Sequence, residues 1–409
     1  MKLKLRRIHA VLAVQKTGSA SAAATLVHMT QPAVTAAVAA LESDLGVALF
    51  DRTNKGMLAN ETGRLFCVRG QAAIKYLKTA EAMIRARHSR TTQSPAPSLH
   101  RLISEVQLRA LIAVVETGGF SSAARRLGLT QPTLYRAAKD LAELCGLALW
   151  ETRGAIVTPT TEALELARLG RLCFAALNSA CDELREYQGV MDGQLNIGAL
   201  PLARSQWLPD ALALILERHP KARVRIVDGP YSEQLNALRH ARIDMILGAL
   251  RKPAPTEDVH QIPVFDDPQV ILVRAGHPLA LGFDSETDKL SPEQLDGLSW
   301  ILPPVETPGR KVFDAFMVDK GLQAPKRVVE CSSLVATRAL LARSDHAAVL
   351  SRRQVEPEVA SGALKVMGPP LSGSLRAIGI TIRGDFKPTR LQAECLELLL
   401  SGPGASHYA

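Results

Sequence analysis

A chain of 409 residues, 47% hydrophobic and 22% charged, is long enough for two or three domains with sizeable cores and has the composition of an ordinary globular protein. It has no apolar run of membrane-spanning length, and its basic start leads into an amphipathic pattern rather than a signal core. A membrane protein and a secreted one are therefore disfavoured, and the expected location is the cytoplasm.

The charge is unevenly placed. Residues 1–100 carry fourteen basic and five acidic side chains, residues 101–192 ten and eleven, and residues 193–409 twenty-five and twenty-four. The whole formal excess of +9 thus sits in the first quarter. A localised surplus suits a phosphate-binding surface, although a merely solvated face would carry it too. The six cysteines (Cys67, Cys145, Cys173, Cys181, Cys331 and Cys395) stand singly, without C-x-x-C or zinc-finger spacing. Reduced, buried thiols are expected, with no metal and no cofactor.

The chain repeats itself at an offset of one hundred. Thr17-Gly18 returns as Thr117-Gly118, Ala23-Ala24 as Ala123-Ala124, and Thr30-Gln31-Pro32 as Thr130-Gln131-Pro132. Leu41, Gly46 and Leu49 return as Leu141, Gly146 and Leu149, without a gap from about residue 8 to residue 63. One module has been duplicated.

Each copy reads as three helices and a wing. Ile8, Val11, Leu12 and Gln15 mark a first helix ending near Thr17-Gly18, and Ser21 opens a second whose inner face is Ala23, Ala24 and Val27. After a turn at His28-Met29, where the second copy has Gly128, Thr30 is placed to cap a third helix with Pro32 in its first turn. Val34, Val38, Leu41 and Leu45 then share one buried face. Helix, tight turn and a second helix opening on short polar residues is a helix-turn-helix, whose second helix enters the major groove. Ser21, Thr30, Gln31, Pro32 and Thr35 are the candidate DNA-facing residues of the first copy, with Arg52 and Lys55 on its wing. Those of the second are Ser121, Thr130, Gln131, Pro132, Tyr135, Arg136 and Lys139. Gln and Arg can each make paired hydrogen bonds to a base edge.

Both copies resemble the N-terminal winged helix-turn-helix of LysR-type transcriptional regulators. The first shows that family's run as Gly18-Ser19, Ala23-Ala24, Thr30-Gln31-Pro32-Ala33-Val34, Leu41-Glu42, Leu45-Gly46 and Leu49-Phe50-Asp51-Arg52, closing on Asn60-Glu61-Thr62-Gly63. The second shows Gly118-Gly119-Phe120-Ser121, Ala123-Ala124, Thr130-Gln131-Pro132, Leu141 and Leu149-Trp150. They depart from it in different places: Ala36 stands where the family usually has an arginine, while Glu42 and Arg52 become Ala142 and Thr152 in the second copy. Which copy reads sequence is open, and the alternative to shared reading is that one module serves mainly as structure.

The expected layout is a winged module over 1–64, a linker helix over 65–90, an exposed connection over 91–104, a second winged module over 105–163 and a second linker helix over 164–190. The resemblance implies that such linker helices dimerise, here between two chains.

From Gly193 strands and helices alternate. Strands are expected over 195–199, 222–228, 243–248, 270–274 and 375–382, helices over 208–219, 233–241 and 388–400, and a second βαβ series over 300–351. The alternation implies parallel sheets covered by helices in two lobes, over residues 193–405. Small molecules bind such domains in the cleft, at strand C-termini and helix N-termini. Four segments map there and supply the candidates Ala199, Leu200, Arg204, Asp228, Gly229, Pro303, Pro304, Ser332 and Ser333. Ser332 and Ser333 could cap a helix, bind a ligand carboxylate, or both. Arg204 and Arg310 are candidate anion partners or solvated surface residues.

This half is similar to the effector-binding domain of the same regulators, which has the fold of periplasmic solute-binding proteins. Gly193-x-Leu195-x-Ile197-Gly198, Leu208-Pro209, His219-Pro220, Ile243-Asp244 and His277-Pro278-Leu279-Ala280 stand in that family's order. The resemblance implies a DNA-binding transcriptional regulator modulated by a small organic effector, with an anion expected. The partners expected on this resemblance are double-stranded DNA and a second copy or copies of the chain in a homodimer or homotetramer, with RNA polymerase a further candidate. An enzyme is the rival class, but the chain has no Gly-rich phosphate loop, G-x-S-x-G elbow or H-E-x-x-H, and no catalytic residue is assigned.

Overall fold

A computed structural model describes residues 3–53, 56–88, 98–153, 156–283 and 287–401. Two compact units divide the chain: residues 1–193 with 239–242 and 388–391, and the remainder.

In the first unit α1 (Leu5–Thr17), α2 (Ala20–Val27) and α3 (Gln31–Leu45) lead into a wing of β1 (Phe50–Thr53) and β2 (Gly56–Ala59), then α4 (Glu61–His88). A short α5 (Leu99–Leu102) precedes the second copy, α6 (Glu105–Thr117), α7 (Phe120–Leu127), α8 (Gln131–Cys145), β3 (Trp150–Arg153) and β4 (Ile156–Pro159), which runs into α9 (Thr161–Tyr187). Ser19 caps α2, its hydroxyl accepting from the Ala22 N–H, so the helix starts ahead of the expected Ser21. Between the second and third helices His28 takes the left-handed conformation (φ 54°) that Gly128 takes in the second copy (φ 64°). A β-carbon there is tolerated at a small strain.

The expected exposed connection is part of the core at its C-terminal end. Leu99 and Ile103 are buried beside α4 and α6 residues in the first unit's core. The His100 N–H and ring both meet the Glu81 carboxylate of α4, and Arg101 reaches the Leu26 carbonyl at 3.0 Å. Residues 91–97 of that connection lie outside the described residues.

The helix pair expected between two chains forms within one. α4 and α9 run antiparallel: Arg69 meets Glu183 near one end of the pair, and Arg87 Nε lies 3.0 Å from Glu162 near the other. The repeat extends along both helices, since Phe66 and Leu166, Leu77 and Leu177, Ala80 and Ala180, and Ile84 and Leu184 are all buried. Close approach of the first helix of each module uses matched glycines. A β-carbon on Gly70 would stand 3.4 Å from Leu12, and one on Gly170 3.3 Å from Leu108.

The second unit holds two five-stranded sheets. The first, ordered β6-β5-β7-β14-β8, uses β5 (Gln194–Ala199), β6 (Arg223–Val227), β7 (Met245–Ala249), β8 (Val259–Asp267) and β14 (Arg376–Arg383), with α10 (Trp207–Arg218), α11 (Tyr231–Arg239) and α16 (Arg390–Ser401). The second, ordered β11-β10-β12-β9-β13, uses β9 (Gln269–Arg274), β10 (Ser299–Leu302), β11 (Val328–Glu330), β12 (His346–Ser351) and β13 (Leu364–Val366). With it go α12 (Pro292–Gly297), α13 (Pro308–Asp319), α14 (Leu334–Leu341) and α15 (Glu356–Ala360).

The sheets are mixed rather than wholly parallel. β5 is parallel to β6 and β7, and β10 to β11 and β12, but β14, β8, β9 and β13 add antiparallel pairings. β8 was absent from the expected elements; its burial pattern is irregular and Pro263 interrupts it, as an edge strand allows. The buried Asp267, where β8 passes into β9, accepts from Ser351 at 2.5 Å and from Arg376 at 2.6 Å. One carboxylate thus ties the two sheets where the chain crosses between them.

Candidate nucleic-acid interface and effector cleft

α2 and α3 meet at 101°. Val34, Val38 and Leu41 bury one side of α3, leaving Gln31, Pro32, Ala36 and Ala39 exposed and Thr35 half-buried. Thr30 is the N-cap, its hydroxyl accepting from the Ala33 N–H at 3.4 Å, and the Thr35 hydroxyl donates to the Gln31 carbonyl at 3.1 Å. Both hydroxyls have local work, so Gln31 is the long polar side chain left at this helix N-terminus. Ser21 is exposed on α2, and Arg52 is exposed on β1 opposite Met57. Lys55, with its neighbour Asn54, lies outside the described residues.

The second copy presents more. Leu134, Ala137, Ala138, Leu141 and Cys145 bury one side of α8, while Gln131, Pro132, Tyr135, Arg136 and Lys139 are exposed, as is Ser121 on α7. Thr130 caps the helix through the Thr133 N–H at 3.4 Å. The Tyr135 ring stands edge-on to Phe120 at 5.2 Å, and Phe120 in turn to Trp150 at 5.6 Å. The corresponding first-copy residues are Thr35, Ala20 and Phe50, so this aromatic support is particular to the second module. Lys139 pairs loosely with Glu143 at 3.6 Å along the helix.

The positive surplus of the first quarter is not confined to the recognition surface. Arg64, Arg69, Lys75, Lys78, Arg85 and Arg87 lie on α4, and Arg7 is paired with Asp44. The sequence count had no means of separating these from Lys4, Arg6, Lys16 and Arg52, which are exposed on the winged module itself.

In the second unit the four cleft segments follow the C-terminal ends of β5, β6, β10 and β11. Leu200 follows β5 and crosses Gly248 so closely that a β-carbon there would stand 2.7 Å from its own; Gly248 also has φ 147°, so glycine is required twice over. Ala199 is buried, Pro303 and Pro304 half-buried, and Ser332 and Ser333 exposed. Ser333 caps α14 by accepting from the Ala336 N–H at 3.3 Å, and Thr307 caps α13 through the Arg310 N–H. Gly229 donates its N–H to the Asp228 carboxylate at 2.7 Å.

Neither candidate arginine is an open anion site. Arg204 pairs with Asp228, and Arg310 is held 2.9 Å from Asp314 and 4.0 Å from Glu330. Two buried glutamines that pattern reading missed stand beside the same segments. Gln234 donates its side-chain amide to the Gly229 carbonyl at 3.0 Å and the Ala199 carbonyl at 3.4 Å, and Gln269 lies against Gly309 at the start of α13. A polar residue at a buried position interrupts the apolar stripe and reads as solvent-facing, so only its surroundings reveal it. A separate concavity of about 540 Å³, lined by His277, Glu293, Ser299, Arg327 and Asp345 among others, opens at the N-terminal ends of β10, β11 and β12, away from the four segments.

Among the described residues no helix is long and apolar enough to cross a membrane on its own, and no cluster of metal-ligating side chains occurs.

Comparison with known proteins agrees with both units. The family described as "Bacterial regulatory helix-turn-helix protein, lysR family" matches twice, over residues 5–64 and 106–164, and the family "LysR substrate binding domain" matches residues 188–403. The HTH-type transcriptional regulator GalR of Pseudomonas putida is 31% identical over 379 residues, 93% of this chain and 92% of that protein. PcaQ, an HTH-type transcriptional regulator of Agrobacterium fabrum, is 24% identical over 69% of this chain and 89% of its own length. A full-length OxyR variant from Pseudomonas aeruginosa shares the fold, with a TM-score of 0.52 at 23% identity over 72% of this chain and 93% of that one. The chain belongs to the LysR family of transcriptional regulators, DNA-binding proteins with an effector-binding domain and no enzymatic role, and it carries the family's helix-turn-helix module twice.

Proposed function

We propose a division of labour in which the second winged module reads base edges and the first supplies much of the phosphate grip. The observation that carries it is the contrast between the two recognition helices. α8 exposes Gln131, Tyr135, Arg136 and Lys139, whereas α3 exposes Gln31 and then Ala36 and Ala39. A long cationic or amide side chain is needed for a paired hydrogen bond to a base, and alanine supplies none. Thr30 and Thr130 cap the two recognition helices with Pro32 and Pro132 in their first turns, Ser21, Thr35 and Ser121 are assigned to DNA contacts beside them, and Arg52 and Lys55 of the first wing are assigned to phosphate. Footprinting of the operator with each module disabled in turn tests this. Disabling the second module should remove most of the base-specific protection, leaving only what Gln31 of the first provides, and an unchanged footprint would overturn the assignment.

The effector is assigned to the segments at Ala199–Arg204, Asp228–Pro230, Pro303–Thr307 and Cys331–Leu334, as a small organic molecule with an anionic group. Because Arg204 and Arg310 already face carboxylates, the anionic group is assigned to the N-termini of α13 and α14, with Ser332 beside it. Thermal-shift titration with a panel of small carboxylates tests this: Ser332→Ala should weaken the response of any binder and leave DNA affinity without ligand intact. Turnover of a binder would favour an enzyme instead.

Self-association into a homodimer or homotetramer must use surfaces other than the paired faces of α4 and α9. Exposed apolar residues on the second unit, Leu216 and Ile226 in one lobe and Val329 and Val335 in the other, offer such surfaces. RNA polymerase is the partner through which the bound regulator would act.

A further inference from the structure

We infer that a single chain is a complete two-site DNA reader, its two winged modules paired in cis through α4 and α9, and that the duplex it reads has two unlike half-sites. The inference rests on the DNA-binding reading of the modules and goes beyond it in naming the reading unit and the form of its target.

A lone winged module with one linker helix would leave the apolar face of that helix uncovered. Here Phe66, Leu77, Ala80 and Ile84 of α4 are buried, and so are their counterparts Leu166, Leu177, Ala180 and Leu184 of α9. Matched positions on antiparallel helices form an approximate two-fold arrangement, the geometry that pairs of DNA-reading modules require.

The polar residues on this pair are not symmetric. Arg69 of α4 and Glu183 of α9 form an ion pair with side chains only 8% and 19% exposed. Their counterparts at the offset of one hundred are Leu169 and Met83, an apolar combination. Arg87 and Glu162 pair at 3.0 Å, and their counterparts are Tyr187 and Thr62. Two copies of α4 packed with this register would set Arg69 against Met83, and two copies of α9 would set Glu183 against Leu169. Each would bury a charge without its partner, which strongly disfavours the assembly. Only α4 with α9 satisfies both ion pairs, so the sequence encodes a heterotypic pairing. A single buried polar feature can specify helix partner and register in this way.

The start of the second module is also fastened to the first. α5 docks through His100 on Glu81 and Arg101 on the Leu26 carbonyl, and α6 follows directly from it. A cis pair therefore presents two different recognition helices, α3 with Gln31, and α8 with Gln131, Tyr135 and Arg136. Different side chains on the two helices read different base edges.

The test uses the full-length chain. Arg87→Cys with Glu162→Cys, at the more exposed end of the pair and with Cys331→Ser to remove the native reactive thiol, is treated with a short bismaleimide and run on a denaturing gel. The expected product is an internally linked chain of one-chain mass. A two-chain product, or no link at all, would overturn pairing in cis. Should that variant fold poorly, Arg69→Glu should lower affinity for the selected duplex at least tenfold, and Arg69→Glu with Glu183→Arg should regain most of the loss. A folded double variant that regains nothing contradicts the pairing.

Selection from random duplexes with the unmodified chain completes it. The expected unit read by one chain has two unlike halves, which an assembly of chains repeats or inverts as a whole, and Arg136→Ala alters preference in one half of each unit only. A unit whose two halves are alike and both change would overturn the inference while leaving DNA reading intact. Enrichment of no sequence would overturn the DNA reading and the unlike half-sites with it, an outcome kept separate from the cross-link, which needs no DNA.

Discussion

The Glu42 carboxylate accepts the Leu49 N–H at 2.7 Å and the Phe50 N–H at 3.3 Å, and so pins the start of the first wing to the recognition helix. In the second module the corresponding residue is Ala142, and that wing is held from the other side by Trp150 against Phe120. The two wings are fixed by different forces, one electrostatic and one aromatic.

Glu42→Ala should therefore destabilise the first unit by about 1–3 kcal/mol, since two backbone donors at the head of the wing lose a charged acceptor. Urea denaturation followed by circular dichroism measures it. The reverse substitution, Ala142→Glu, should cost nothing and tighten the second wing.

A pH dependence follows from His9. Burial, with the neighbouring charges of His100, Arg101 and Lys78, lowers its imidazole to about pH 4, against the 6.5 of an unperturbed histidine, although its ring bonds to the His100 carbonyl. Above pH 6.5 the ring is neutral folded or unfolded and contributes no pH dependence. Between 6.5 and 4 the unfolded chain takes up the proton and the folded one does not, so stability falls as the pH drops. The loss should be on the order of 2 kcal/mol at pH 5 relative to pH 7. Denaturation midpoints of His9→Gln and the parent over this range check it: the parent should lose more.

Thiol chemistry should be nearly silent. Burial pushes the thiols of Cys67, Cys145, Cys173 and Cys395 up to about 12 and that of Cys181 to about 11. At neutral pH these hold almost no thiolate, the reactive form. Cys331 stands in an effector segment, its thiol donating to the Ser333 carbonyl at 3.4 Å in an exposed position. Titration of the native protein with Ellman's reagent should find about one fast thiol, removed by Cys331→Ser.

Much of this fold is legible in the sequence because it is repetitive. Thr30-Gln31-Pro32 and its copy fix a helix start twice, and Val34, Val38 and Leu41 fix a buried face. Neighbour relations are less legible. The sequence shows two long amphipathic stretches but not that one covers the other, because an apolar stripe does not say which stripe it meets. Arg204 reads as a candidate anion partner or a solvated residue because its carboxylate, Asp228, lies 24 residues away on another segment, whereas Arg310 is held chiefly by Asp314 one helical turn on, a spacing that the sequence does show. Gln234 and Gln269 read as solvent-facing. Their part in the cleft comes from the loops folded around them.

The division of labour between modules is tested most directly by a salt series on specific and scrambled duplexes with Arg52→Ala and Arg136→Ala. Arg52→Ala should weaken binding to both duplexes alike and lower the salt slope by about one, as expected for one lost phosphate contact. Arg136→Ala should cost about 1–3 kcal/mol on the specific duplex alone and relax preference at one base position. Equal losses on both duplexes for Arg136→Ala would show that it touches only phosphate, and no loss on either would show that the second module has left DNA for a structural role.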